Sequence, residues 1–262
     1  MVADAQSPDG TAPTLIMKDT AEASAERDQV AAGTLPPRYG TPWQQPFLDR
    51  VSSALRPGVR ILDVGSGARP VVPPESRPQG CHYAGLDVSG DELDRAGPSA
   101  YDERIVADIG QASARLQDRF DLVISWQVLE HVASMRAALD AQHRALVDGG
   151  RMVAMVSGSL GVYAVLARII PYRVSTAIQE RLLHIDGADK FPTRYDSCRA
   201  SRLSALLREG GWRSHVIISL YKGGMYFRFS PALQRLYLRY ENAIWRTDRR
   251  ELATHYIVDA TR

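Results

Sequence analysis

The sequence predicts an α/β fold built on a doubly wound, mostly parallel sheet, and three observations carry that expectation. Short apolar runs rich in Ile, Leu and Val recur across residues 60–157 and alternate with longer helix-competent segments, a βαβ pattern rather than an all-β one. Three successive runs carry an aspartate at or near their carboxyl end, at Asp63, Asp87 and Asp108. The first is followed at once by Gly65-Ser66-Gly67, residues able to turn at positive φ without a side chain blocking a ligand. Ligands of open α/β sheets bind at the carboxyl ends of the strands, so the candidate site lies there.

The first strand is read in Arg60-Ile61-Leu62-Asp63-Val64. Its turn is not a dinucleotide fingerprint, because G-x-G-x-x-G holds a pyrophosphate on a helix N-terminus and here Pro70 stands at the third glycine position. The loop is therefore open, and Asp63 ahead of it suits a cofactor bearing positive charge and donors better than one bearing phosphates. The second strand, His82 to Ser89, puts Asp87 24 positions after Asp63, where a doubly wound sheet places the carboxylate that takes ribose hydroxyls. Arg104 to Ile109 is the third strand. Phe120 to Trp126 is the fourth, running into a helix expected to start near Gln127 and to bring Glu130 and His131 to the ligand edge. Gly149 to Ser157 is the fifth, preceded by a helix and a Gly149-Gly150 stop. A lone strand-end aspartate is commonly a turn cap bonded to nearby backbone N–H groups. Repetition on consecutive strands, with an aromatic residue and a Glu-His pair after the fourth, points to a site instead. Asp91 is read as an N-cap and Asp121 as a turn residue.

Taken together, ILDVGSG, GLDVS, VADI, FDLVISWQVLEHV and LVDGGRMVAMV resemble class I S-adenosylmethionine-dependent methyltransferases, in particular the small-molecule group whose fourth strand reads FDLVxSxxVLEHV. The resemblance spans roughly residues 55 to 157. It implies a Rossmann-like seven-stranded sheet, mostly parallel with an antiparallel last strand, the sixth and seventh strands forming a terminal hairpin, with helical insertions after strands five and six. It also implies S-adenosyl-L-methionine as cofactor, with S-adenosyl-L-homocysteine as product. On this resemblance Asp63, Gly65, Ser66 and Gly67 hold the methionine part of the cofactor, Asp87 with Val88 meets the ribose, and Asp108 with Ile109 reads the adenine edge. Trp126 and Gln127 then meet the cofactor from the end of the fourth strand. The run Arg69 to Pro74 departs from the family, many of whose members start a helix directly after the loop.

Residues 1–34, rich in Ala, Asp, Ser, Thr and Pro, are expected to form a disordered segment, and residues 35–262 the methyltransferase domain. A helix is expected over Trp43 to Leu55. Tyr39 and Trp43 before and within it either close the cofactor pocket or pack the helix on the sheet edge. Two helical substrate or lid insertions are expected, at about 159–195 and 224–250. The first holds the nearly all-apolar Leu160 to Ile170, a break at Pro171, and His184 as a second candidate acid or base beside His131. An unperturbed imidazole titrates near pH 6.5, which suits it to take a hydroxyl proton. Helix Ser197 to Glu209 and strand Trp212 to Tyr221 follow. The second insertion opens with Ser230-Pro231 as N-cap and first helical residue, then carries an apolar stripe of Leu233, Leu236, Tyr237, Tyr240 and Ile244 beside Arg235, Arg239 and Arg246. Strand Ala253 to Ala260 closes the chain.

The formal net charge of +2 conceals an asymmetry, since residues 190–262 carry fourteen bases against six acids while residues 1–35 carry two against six. That basic end suits an anionic substrate or peripheral contact with a membrane surface. Nucleic acid is not expected, because the bases do not accompany a recognisable binding motif. Cys81 and Cys198 make neither a disulfide framework nor a metal-ligand spacing, and no metal is expected. No signal peptide or membrane span is read, so the expectation is a cytoplasmic monomer or homodimer. The expected activity is methyl transfer, most simply to oxygen, on a small-molecule, saccharide or lipid-linked acceptor. N- or C-methylation in natural-product biosynthesis, or an inactive cofactor-binding scaffold, is the alternative.

Overall fold

A computed structural model describes residues 34–111, 113–169 and 193–262 of the chain. Its strands are β1 (Arg60–Val64), β2 (His82–Asp87), β3 (Glu103–Val106), β4 (Phe120–Trp126), β5 (Leu146–Ser157), β6 (Ser214–Leu220) and β7 (His255–Thr261). They form one sheet in the order β3-β2-β1-β4-β5-β7-β6. Strands β1 to β5 pair in parallel, and β7 runs antiparallel between β5 and β6. The chain reverses direction across the sheet between β1 and β4, so the turns after β1, β2 and β4 gather at one edge, where an open α/β sheet holds its ligand.

The helices are α1 (Gln45–Ala54), α2 (Gly90–Arg95), α3 (Ser113–Leu116), α4 (Met135–Ala145), α5 (Val162–Ile169), α6 (Ala200–Glu209) and α7 (Pro231–Arg246). The two sheet faces bury separate cores. On one, Leu62, Val123, Ala154 and Val258 meet Leu139 of α4 and Leu203 of α6; on the other, Ile61, Ile124, Val153 and Ile257 meet Phe47 and Val51 of α1. Adjacent strand residues alternate between these faces, which is why the runs are apolar throughout rather than half polar.

Several expected boundaries are corrected. The helix expected to start near Gln127 begins at Met135, where Ser134 caps it by accepting from the Ala137 N–H (3.3 Å). Gln127 cannot open a helix because it holds φ +52° and its N–H donates to Met155 O (2.9 Å). Ser89, not Asp91, caps α2, with Oγ accepting from the Glu92 N–H (3.3 Å). The third strand ends at Val106, before Asp108, and the fifth begins at Leu146, with Gly149 and Gly150 inside it. In α7 the buried face is Tyr237, Leu238, Glu241 and Ile244, whereas Leu233 and Leu236 face solvent, so the stripe expected from spacing is only partly the core stripe. His184, the segment before Thr34 and residues 170–192 of the first insertion lie outside the described residues.

A buried polar cluster ties the amino-terminal segment to the second insertion. Glu241 has no exposed surface, and its carboxylate accepts from the Arg38 guanidinium, from Tyr39 OH (2.7 Å) and from the Gly223 N–H (2.6 Å). Arg38 also donates to Tyr221 O (2.9 Å) and Asn242 Oδ1 (2.6 Å). Removing one partner of such a cluster strands the other charge. Glu241→Ala is expected to cost about 3 kcal/mol in unfolding free energy by urea titration, whereas Glu241→Gln, which keeps an acceptor, costs less.

Candidate cofactor and acceptor site

The turn after β1 is shaped by close approach. Gly65 holds φ +69°, its N–H donates to Leu86 O (2.6 Å), and a Cβ there would sit 2.2 Å from Val128 Cγ2. Any other residue would be both strained and in collision. Gly67, at φ +48°, donates its N–H to Asp87 Oδ2 (3.0 Å), and the Ser89 N–H donates to Asp87 Oδ1 (2.9 Å). The Asp87 carboxylate is thus fixed at the carboxyl end of β2 beside the glycine turn. Val88, the next residue, is 57% exposed, and Val106 at the end of β3 is 61% exposed. Val106 pairs with Asp87 in the β2–β3 register, so both exposed valines stand near the carboxylate at the ends of their strands. Ser66 is buried beside the Tyr101 hydroxyl, which donates to Gly67 O (2.7 Å).

Asp63 is turned onto the protein itself. Its Oδ2 accepts from Tyr83 OH (2.6 Å) and from the Val71 N–H (2.8 Å), so it ties the proline-rich segment down over β1 and β2. Burial pushes its carboxyl up to about 7 against the opposing pull of the Tyr83 and Val71 hydrogen bonds. Only Oδ1 is left without a partner among the described residues. Asp108 lies in the turn after β3, with Oδ1 accepting from the Gly110 N–H (2.8 Å), the geometry of a turn cap. Ile109 sends its side chain into the core, so only its backbone is left to meet a ligand.

At the end of β4 the aromatic rings converge. Trp126 lies 5.1 Å from Trp43 and 5.0 Å from Phe47, and Trp43 stacks on His255 at 4.8 Å. His255 is the first residue of β7 and pairs with Ser157, the last of β5. Ser157 Oγ donates to Glu130 Oε1 (2.5 Å) and lies 3.3 Å from Gln127 Nε2, which donates to it. Glu130 is buried with Oε2 unpartnered among the described residues, and burial raises its carboxyl above the usual range. His131 is half-buried in the turn that follows, its N–H donating to Val128 O (2.9 Å). The strained Gln127, the Ser157 bridge and Glu130 together hold this turn.

Tyr39 requires a correction. It has no exposed surface, its hydroxyl donates to Glu241 and accepts from the Gly224 N–H (2.7 Å), and its ring packs with Leu35, Met225 and Leu238. A side chain so enclosed lines no pocket; Trp43, one turn further on, is the residue of this segment that meets the β4 edge. His255 is a site-edge residue that the sequence did not flag. No local motif marks it, since it reaches Ser157 and Trp43 only through the pairing of β5 with β7 and the packing of α1.

This architecture, with a glycine turn after β1, a carboxylate ending β2 and β7 inserted antiparallel between β5 and β6, is the fold of S-adenosylmethionine-dependent methyltransferases. A structure of that class from Archaeoglobus fulgidus aligns over 82% of this chain and 91% of its own, with TM-score 0.53 and 15% identity. The phosphoethanolamine N-methyltransferase 2 of Haemonchus contortus, in complex with S-adenosyl-L-methionine, aligns over 84% of this chain and 52% of its own, with TM-score 0.51 and 14% identity. A methyltransferase domain family matches residues 39–215. The chain belongs to that methyltransferase-domain family; the cofactor held by the Haemonchus contortus enzyme of the same fold is S-adenosyl-L-methionine. Among curated relatives, it is similar to the ubiquinone biosynthesis O-methyltransferase of Brucella anthropi, 31% identical over 122 residues, which are 44% of this chain and 49% of that protein. The protein of that name from Cereibacter sphaeroides is 33% identical over 111 residues, 40% of this chain and 44% of its own. The chain thus spans about half the length of the curated relatives it matches.

The site residues fit that cofactor. Asp87 offers fixed acceptor oxygens for a diol, and the exposed Val88 and Val106 offer apolar surface for a base.

The His255 imidazole is lowered to about 4 from 6.5 by burial alone. Between those values the unfolded chain binds the extra proton and the folded chain does not, so stability falls as pH drops from about 6.5 toward 4. The full effect of such a shift is about 3 kcal/mol. His255→Gln is expected to flatten that stretch of the stability curve, read as the difference between wild type and variant in denaturant midpoints across the range.

Proposed function

We propose that this chain transfers a methyl group from S-adenosylmethionine to a hydroxyl of a small-molecule, saccharide or lipid-linked acceptor. The observation that carries the cofactor half is the Asp87 carboxylate, held by the Gly67 and Ser89 N–H groups beside the exposed Val88. Similarity over half their length to proteins named ubiquinone biosynthesis O-methyltransferases supports oxygen as the accepting atom.

Bound S-adenosylmethionine supplies a methyl already activated on a sulfonium, so the chain's own task is alignment, exclusion of water and removal of one proton. Asp87 would take the ribose hydroxyls, the turn Gly65-Ser66-Gly67 would receive the amino-acid end, and Val88 with the Asp108-Ile109 turn would receive the adenine. Asp63 acts on the cofactor indirectly, by anchoring the segment through Val71 to the floor of the turn. Trp43 and Trp126 shield the acceptor side of the β4 edge, and Gln127 and Glu130 hold the turn that carries His131. His131 is the candidate base that accepts the acceptor's hydroxyl proton. His184, the other candidate, lies outside the described residues.

Asp87→Ala is expected to weaken S-adenosylmethionine binding about 100-fold in titration calorimetry, the loss of two hydrogen bonds to a charged acceptor. Wild-type protein that gives no heat with this cofactor, but does with NAD, would overturn the assignment. His131→Ala is expected to lower kcat about 100-fold with cofactor affinity unchanged. The acceptor for that assay is found by incubating protein and methyl-labelled cofactor with lipid and polar extracts and identifying the fraction that gains label; no label in any fraction would favour a non-catalytic scaffold.

A further inference from the structure

The outer face of α7 has side chains that folding does not use. Phe229, Leu233 and Leu236 are 44, 38 and 63% exposed; Leu233 and Leu236, at i and i+3, make an exposed strip on the first turns of the helix, and Phe229 stands just before its Ser230 N-cap. Beside that strip run Arg235, Arg239 and Arg246, all exposed and in no ion pair among the described residues. The one acidic residue of the helix, Glu241, points inward to Arg38 and Tyr39. The adjoining face already supplies the core through Tyr237, Leu238 and Ile244. An exposed apolar strip flanked by cations, with no acid among them, is the pattern of a helix that lies in the headgroup region of a bilayer.

We propose that this face of α7, with Phe229, docks the protein peripherally on a membrane surface bearing anionic lipid. The apolar strip enters the headgroup boundary while the arginines meet lipid phosphates. Two other occupants fit less well. A second copy meeting this face about a twofold axis would bring the two arginine columns together without acids to balance them. A nucleic acid would answer the arginines and leave Phe229, Leu233 and Leu236 in water. The helix is also bonded to the amino-terminal segment through Glu241, and that segment carries Trp43 to the β4 edge, so a docked α7 is mechanically joined to the acceptor side of the site. The inference stands apart from the identity of the acceptor, because it is read without cofactor or methyl transfer.

The test is co-sedimentation of the full chain with phosphatidylcholine vesicles, with and without phosphatidylglycerol. The expected result is partition onto the anionic vesicles, weak on phosphatidylcholine alone and falling with added salt. The variant R235Q/R239Q/R246Q is expected to lose about 100-fold in partition, and L233S/L236S about tenfold or more. All five side chains face solvent, so both variants are expected to keep the wild-type melting temperature and S-adenosylmethionine affinity. Partition indifferent to lipid charge, or unchanged in the arginine variant, would overturn the proposal. So would the absence of vesicle binding, whether alone, with a self-association that L233S/L236S abolishes, or with duplex DNA binding that the arginine variant abolishes.

Discussion

The hydrogen bond from the Gly67 N–H to Asp87 Oδ2, 3.0 Å long, joins the turn after β1 to the end of β2, and the candidate site depends on that junction. It forms because β1 and β2 pair in parallel with Val64 opposite Leu86, which brings the two carboxyl ends level. The Gly65 N–H then reaches Leu86 O, and Val128 from the β4 turn closes against Gly65 so tightly that a Cβ has no room. Three consecutive elements are thereby fixed around one glycine, and a ligand meets a preformed edge rather than a loop that must be ordered on binding.

A second constraint operates at the far side of the edge. The chain between Pro36 and Leu48 has little sheet to pair with, and it is held in place by the enclosed Arg38–Glu241–Tyr39 cluster and by Trp43 stacked between Trp126 and His255. Burying this much charge is tolerable only because the Glu241 oxygens are met by a guanidinium, a phenol and a backbone N–H. The amino-terminal segment, α7 and the β4 edge consequently form one connected body. The amino-terminal segment and the second insertion share a polar core.

How far the site could be read from residue order follows the range of the interactions. The placement of Gly65, Ser66 and Gly67 in the turn after β1, and of Asp87 at the end of β2, was legible because strand, turn and following carboxylate are set by neighbours within a few positions and by the fixed repeat of a βαβ unit. The start of α4 was misplaced because apolar spacing after Trp126 imitates a helix, while the deciding facts were the Gln127 N–H bonded to Met155 O on β5 and the Ser134 cap. Tyr39 was misread for a similar reason. An aromatic residue before the first helix is equally compatible with a pocket wall and a buried anchor, and the choice was made by Glu241, 202 positions away.

By itself, then, residue order determined the alternation of strands and helices, the glycine turn after β1 and the aspartates within β1, at the end of β2 and after β3, since these rest on short-range backbone geometry and on burial periodicity. Only the tertiary structure decided that Asp87 is held by the Gly67 and Ser89 N–H groups while Asp63 is consumed by Tyr83 and Val71, where the helix after β4 begins, that His255 meets Trp43, and that Leu233 and Leu236 face water. Each of those outcomes turns on a pairing between residues far apart in the chain, and a carboxylate or a leucine has no local feature that announces which distant partner will claim it.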